Sequence, residues 1–227
     1  MSKIRKVEVL KHILESNEQI AASLKALWSK NQTFVVNLLS SPGSGKTTLL
    51  EATLPHLKDR YRVAVLEGDL ETERDAERIH ALGIETVQIT TGGTCHLEAH
   101  MVKQAWEVLN DKDRMDFLFV ENVGNLVCPA SFDLGEHLRV VLLSVPEGDD
   151  KPAKYPVAFR SAQALVITKI DLLPYFDFDL DRVKEEALAI QPDLQIFEVS
   201  AKTGEGIRDW VAYLEAVRAR LFDRPSP

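Results

Sequence analysis

Cysteine is scarce in this chain, aromatic residues are few, and positive charge is in deficit. Two cysteines among 227 residues, Cys95 and Cys128, cannot supply the disulfide framework of a small secreted domain. Lysine and arginine number 27 against 35 acids, a formal net charge of −8, so no basic face for nucleic acid is expected. No apolar run reaches the roughly 18–20 residues that cross a bilayer, which excludes a spanning helix of ordinary composition. The basic residues within Met1–Val7 have no apolar stretch behind them, so no signal peptide is expected. A cytoplasmic setting follows, with reduced cysteines serving chemistry or metal. Internal repeats and Gly/Ser linkers are also missing.

What is present is alternation. An apolar fraction of 45% and a charged fraction of 27% are those of an ordinary globular chain, long enough for one sizeable domain. Residues 3–30 read as an amphipathic helix, with Leu10, Ile13, Leu14, Ile20, Leu24, Leu27 and Trp28 at spacings of three and four. One turn is missed, at Asn17. The helix either packs on the domain or meets a partner. From residue 33, apolar runs at Phe34–Leu39, Arg62–Leu66, Glu85–Ile89, Phe117–Glu121, Val140–Val145, Leu165–Thr168 and Ile196–Val199 alternate with helical stretches near 45–58, 72–82, 96–109, 153–161, 179–190 and 206–222. Continuous apolar strands need cover on both faces. The expected fold is α/β: a doubly wound, mainly parallel sheet of about seven strands with an added N-terminal helix. The expected organisation is a helix over 1–32, a domain over 33–222 with inserted loops, and a frayed tail over 223–227.

The segment Phe34–Leu50 reads as a strand, a glycine-rich turn at Ser41-Pro-Gly-Ser-Gly-Lys-Thr47 and a helix start, the arrangement of a phosphate-binding P-loop. Backbone N–H groups at Gly43, Ser44, Gly45, Lys46, Thr47 and Thr48 can converge on a polyphosphate at the positive end of a helix. Lys46 reaches the outer phosphates in such a loop, and the Thr47 hydroxyl ligates Mg²⁺. The first glycine of the usual pattern is replaced by Ser40. Thr168-Lys-Ile-Asp171 follows an apolar strand and resembles the guanine-reading Asn-Lys-x-Asp. Asp171 there accepts from guanine N1–H and the exocyclic amine, the Lys169 stem packs on the purine, and Thr168 braces the loop. Ser200-Ala201-Lys202, after the next strand, resembles the loop that supports guanine O6. Together these point to GTP or GDP rather than ATP.

Glu121 ends an apolar strand at the position from which a P-loop enzyme steers Mg²⁺, and Gly124 follows as the glycine that senses the γ-phosphate. Asp69 and Asp75 are further candidates for the metal or the attacking water. Glu71, Glu73 and Glu77 suit a solvated helix start, where acids complement the dipole. Lys151 and Lys154 are either solvated or in contact with nucleotide or acids across a dimer.

The two cysteines sit in Thr90-Thr-Gly-Gly-Thr-Cys-His-Leu-Glu-Ala-His100 and Val120-Glu-Asn-Val-Gly-Asn-Leu-Val-Cys-Pro-Ala130. Cys95 and His96 fall where a helix is expected to start, a place that stabilises a thiolate, with His100 one turn on. Thiolate plus imidazole suits Zn²⁺ or Ni²⁺ rather than Mg²⁺ or Ca²⁺. Three ligands leave such a site incomplete or shared between chains. Spacing alone also allows plain buried small residues.

The stretches 94–100, 121–130 and Ser144-Val-Pro-Glu-Gly-Asp-Asp150 resemble the hydrogenase nickel-incorporation GTPase family, HypB, over essentially the whole chain. The resemblance implies a GTPase of the signal-recognition/MinD/BioD class that forms a nucleotide-dependent homodimer. It implies assistance to nickel insertion into the precursor of the [NiFe] hydrogenase large subunit, with the small zinc-containing nickel chaperone HypA as partner. It implies Cys95, His96 and Cys128 as ligands to Ni²⁺ or Zn²⁺ near the dimer interface, with His100 auxiliary. The N-terminal Cys-x-x-Cys or histidine tract of some members is not matched, since Lys3–Lys30 holds only His12. The sibling urease-accessory GTPases would carry Cys-Pro-His where this chain has Cys95-His96. Against a small-molecule kinase stand Asp171 and Ser200–Lys202. A metal carrier whose nucleotide is structural would bind GTP without releasing phosphate.

Overall fold

Each expected apolar run forms a strand in the computed structural model, which describes residues 9–69 and 74–222, with side chains from Ile13. The start of the N-terminal helix, Glu71, Glu73 and the tail 223–227 lie outside the described residues. In chain order the elements are α1 (Val9–Asn31), β1 (Phe34–Ser40), α2 (Lys46–Leu57), β2 (Val63–Asp69), α3 (Arg74–His80), β3 (Glu85–Thr90), α4 (Ala99–Val108) and β4 (Phe117–Glu121). Then come β5 (Leu138–Ser144), α5 (Lys151–Lys154), α6 (Pro156–Ser161), β6 (Ala164–Thr168), α7 (Leu180–Ile190), β7 (Gln195–Val199) and α8 (Ile207–Phe222).

The strands lie in the order β3-β2-β4-β1-β5-β6-β7, and every pairing is parallel rather than mainly so. Alternate residues of β1 enter opposite layers. Phe34, Val36 and Leu38 join α2 and α8 through Leu50, Leu54, Trp210 and Leu214. Val35 instead meets α1 and α4 through Ala21, Leu24, Trp28 and Trp106. Trp28 and Trp106 pack edge to face, with centroids 5.9 Å apart. The remaining half of that face is closed by α6 and α7. Because both faces are covered, β1, β4, β5 and β6 are buried along their whole lengths, which is why they read as unbroken apolar runs.

Beyond shifts of one or two residues at element ends, three differences from the sequence expectation stand out. β2 continues past Leu66 to Asp69, because Glu67 and Gly68 still pair with β3. The helix expected over 153–161 is split at Tyr155, where Pro156, lacking an N–H, opens a new turn. The helix expected from 96 begins at Ala99, since Glu98 is extended.

Candidate nucleotide and metal sites

The sheet order puts β1 between β4 and β5, so the turn after β1 opens at the carboxyl edge of the sheet, where such folds bind ligands. The turn needs Gly45 at φ 90°, a left-handed conformation costly for any residue with a Cβ. Lys46 and Thr47 begin α2 and are buried beneath the loop. Lys46 Nζ donates to Ser40 Oγ at 3.1 Å, so the serine that departs from the usual motif supplies the lysine with an acceptor. Thr47 Oγ1 donates to Glu121 Oε1 at 2.9 Å, and Lys46 Nζ lies 3.9 Å from the same oxygen. Gly124 packs so closely on this loop that a Cβ would meet Pro42 Cα at 3.0 Å.

The 168–171 segment folds onto the same loop. Thr168 Oγ1 donates to the Ser44 carbonyl at 2.6 Å, and Lys169 Nζ donates to the Gly43 carbonyl at 2.7 Å. Lys169 sits at φ 60°, a conformation rare outside glycine and asparagine that is held where function demands it. Ser200 Oγ donates to Asp171 Oδ1 at 2.7 Å. Thr48, Thr168, Lys169, Asp171, Ala201 and Lys202 line one cavity of about 280 Å³ beside the phosphate loop. Its place and size suit a flat ring, with Asp171 at the edge as the acceptor. Thr48 also accepts from Arg78 at 3.1 Å; Arg78 pairs in turn with Glu51 at 2.6 Å and Asp75 at 2.8 Å, tying α3 to α2.

On the other side of Lys46 lies a second cavity, of about 240 Å³, reached by Asp69, Asp75, Glu121 and Gly124. It contains a residue that sequence reasoning missed. Glu67 lies opposite Glu121 in the register of β2 and β4, and the carboxylates of Glu67, Asp75 and Glu121 have oxygens within 4.8 Å of one another. Asp69 lines the cavity without joining that trio. Glu67 is pushed up to about 11 by burial and by the neighbouring Glu121, and burial also raises Glu121. Glu67 Oε2 and Glu121 Oε2 are buried without a hydrogen-bond partner among the described residues. Buried carboxylates left so must hold a proton or a cation, and an oxygen-only donor set beside a phosphate cradle fits Mg²⁺.

The loops after β3 and β4 bring Cys95, His96 and Cys128 together, their ligand atoms within 4.8 Å of one another. Both ring nitrogens of His96 are buried with no hydrogen bond among the described residues, Nε2 standing 3.6 Å from Glu98 Oε1, and burial outweighs that carboxylate to lower its proton affinity, leaving the neutral imidazole a metal requires. A hydrogen bond donated by the Cys128 thiol to Cys95, and burial, raise the Cys128 thiol. The set is soft, which fits Ni²⁺ or Zn²⁺. The expected helix start at Cys95 does not form, so no helix dipole faces its sulfur. His100, on α4, stands apart from the trio: its Nδ1 lies 3.3 Å from Glu98 Oε2. Lys154 pairs with Asp150 at 2.5 Å, and Lys151 lies 4.0 Å from it.

Three asparagines join these loops, and none was singled out as a site residue by sequence. Asn17, 4% exposed on α1, accepts from Ala99 N–H at 2.7 Å and donates to the Asp133 carbonyl at 2.7 Å. It thereby serves an orphan amide at the start of α4 that the Glu98 side chain does not. Asn125 Nδ2 donates to the Cys95 carbonyl at 3.3 Å. Asn122 Oδ1 accepts from Leu97 N–H at 3.2 Å and Val123 N–H at 3.0 Å. The His96 ring stacks on Phe132, with centroids 4.0 Å apart.

Residues 34–198 match the CobW/HypB/UreG nucleotide-binding domain family. The hydrogenase maturation factor HypB of Azotobacter chroococcum is 49% identical over 225 residues, which is 99% of this chain and 73% of that protein. The crystal structure of HypB from Helicobacter pylori in complex with nickel superposes with a TM-score of 0.86 at 43% identity, covering 93% of this chain and 99% of that one. The signal recognition particle 54 kDa protein of Aeropyrum pernix, in complex with GDP, shares the fold at a TM-score of 0.56 and 16% identity, covering 90% of this chain and 54% of that one.

Proposed function

The chain belongs to the CobW/HypB/UreG family, among the HypB hydrogenase maturation factors, and on that premise we propose that it is a GTP-hydrolysing metallochaperone that carries nickel. The observation that carries this reading is the convergence of Cys95, His96 and Cys128, of which Cys128 lies a few residues beyond Glu121, the acid that accepts from Thr47 of the phosphate loop. Nickel is the cargo: Cys95, His96 and Cys128 hold it, with Zn²⁺ as the competing ion. Three ligands from one chain leave positions open for a second copy or for the receiving protein.

GTP is held by the backbone of 43–48 and by Lys46, and its base is read by Asp171. Mg²⁺, when bound, neutralises charge on the phosphates. Thr47, Glu121, Glu67 and Asp75 would hold it, directly or through water, with Asp69 at the rim. Gly124 lies against the phosphate loop and is joined through residues 125–127 to Cys128. GTP binding therefore alters the nickel site and promotes a homodimer, and hydrolysis releases nickel toward the hydrogenase large-subunit precursor with HypA as intermediary. The protein works in the cytoplasm; consistent with that, no helix among the described residues is long and apolar enough to cross a membrane.

The test is a titration of nickel and of zinc in the GDP state and with a non-hydrolysable GTP analogue, repeated with Cys95→Ala and Cys128→Ala. Weaker nickel binding in both variants, and unequal affinity in the two nucleotide states of the unmutated chain, are expected. Equal affinity in both states would remove the coupling. GTP bound without phosphate release would make the protein a carrier with a structural nucleotide.

A further inference from the structure

The route by which phosphate and nickel sense one another is the finer question, and it rests on the reading just proposed. We infer that Leu97, gripped by Asn122 and Gly68, is the positioning residue that couples the two sites. Asn122 follows Glu121 directly and is 1% exposed. Its backbone N–H donates to the Leu38 carbonyl at 3.1 Å, its Nδ2 to Asn37 Oδ1 at 3.4 Å, and its Oδ1 receives the Leu97 and Val123 amides. The start of the 123–128 segment and the backbone beside His96 thus hang on one oxygen atom.

The second grip is steric. Leu97 is fully buried, and a Cβ at Gly68 would come within 2.8–3.0 Å of its Cδ1, Cγ and Cδ2. Gly68 lies on β2 between Glu67 and Asp69, which line the magnesium-side cavity. Leu97 therefore touches the carboxyl ends of both acid-bearing strands and is covalently next to His96. Neighbouring Cα atoms stay about 3.8 Å apart, so Leu97 cannot shift without carrying His96. The His96 ring, stacked on Phe132, moves relative to Cys128 when it does. Packed interiors switch between discrete arrangements rather than stretching, so a small displacement at Gly124 or Glu67 is passed on rather than absorbed.

Two measurements test this. In the metal-free, unmutated protein, hydrogen exchange of the Leu97 amide should differ between the GDP and GTP-analogue states; identical exchange overturns the proposal. Nickel titrations, read by the thiolate charge-transfer band in each nucleotide state, should give a ratio of dissociation constants of about fivefold or more. Leu97→Ala and Asn122→Ala should bring that ratio to near one, whereas Leu97→Met, which keeps volume, should preserve it. Gly68→Ala adds one methyl group against Leu97 and should also collapse the ratio; it answers the question if the larger truncations fail to fold. A ratio unchanged by both Leu97→Ala and Gly68→Ala sinks the route while leaving the switch standing. A ratio of one in the unmutated protein sinks the switch itself.

Discussion

Glu67 shows what a single residue adds to a site built mostly from recognisable motifs. Burial beside Glu121 makes it hold a proton at neutral pH, so the metal-free fold already contains a neutral group at this position. The sign follows: its folded proton affinity exceeds the ordinary value of 4.5, so its contribution to metal-free stability diminishes as pH rises above that value. Glu67→Gln copies the neutral form. Gln escapes the cost of keeping a carboxyl protonated above its ordinary 4.5, so metal-free thermal stability near neutrality should rise, while GTP turnover should fall about 10- to 100-fold, with more Mg²⁺ needed for half-maximal rate. Phosphate release measured against Mg²⁺ concentration checks both. Asp171 tests the base site independently. Exchanging one acceptor oxygen for an amide donor in Asp171→Asn loses the hydrogen bond from the guanine exocyclic amine and sets donor against donor, whereas xanthine presents a carbonyl at that position. Preference should move from GTP toward xanthosine triphosphate by about 100-fold, read by competition binding. Unchanged GTP affinity would remove Asp171 from the base site.

At the scale of elements, α1 does more than cover the sheet. Asn17 joins it to the start of α4 and to Asp133. Asn17→Ala would leave the buried Ala99 amide and the part-buried Asp133 carbonyl without this partner, at a cost of about 2 kcal/mol in urea unfolding. It should also weaken nickel binding, because α4 carries the end of the Cys95–His96 loop; nickel affinity equal to that of the unmutated chain would confine Asn17 to stability. In sequence, Asn17 is only a gap in an apolar stripe. Periodicity tells where side chains are buried but not which buried polar group finds a partner 82 or 116 residues away. The strands and the phosphate and base loops were legible because each is written locally, as apolar runs or as a short motif with fixed spacing. Glu67 was not, because an acid after Leu66 reads as the end of a strand, and only pairing with β3 on one side and with Glu121 of β4 on the other shows that β2 continues. The start of α4 was misplaced for the same reason: its first amide is held from α1, across the fold.

For the whole molecule, His137 ties three elements together. Its Nδ1 accepts from Val35 N–H at 3.2 Å on β1, its Nε2 lies 3.1 Å from Ser29 Oγ on α1, and its ring meets Phe222 of α8 at 5.6 Å. Burial, helped by the charge of Lys25, lowers its proton affinity to about 4. Nδ1 can accept from Val35 only while unprotonated, so the geometry and the shift agree. An unfolded histidine takes up a proton near its ordinary 6.5, whereas the folded one resists until about 4. Between those values the unfolded chain binds more protons, so stability is full above about pH 6.5 and declines as pH falls toward 4. With allowance for screening by the solvent that still reaches the ring, the loss is about 2 kcal/mol. Urea unfolding between about pH 7 and about pH 4.5 should show this decline, superimposed on that from the carboxylates. In His137→Gln, which keeps an acceptor but cannot titrate, the histidine share of the slope should vanish. An unchanged slope in that variant would mean that the junction of α1, β1 and α8 does not sense pH through this ring.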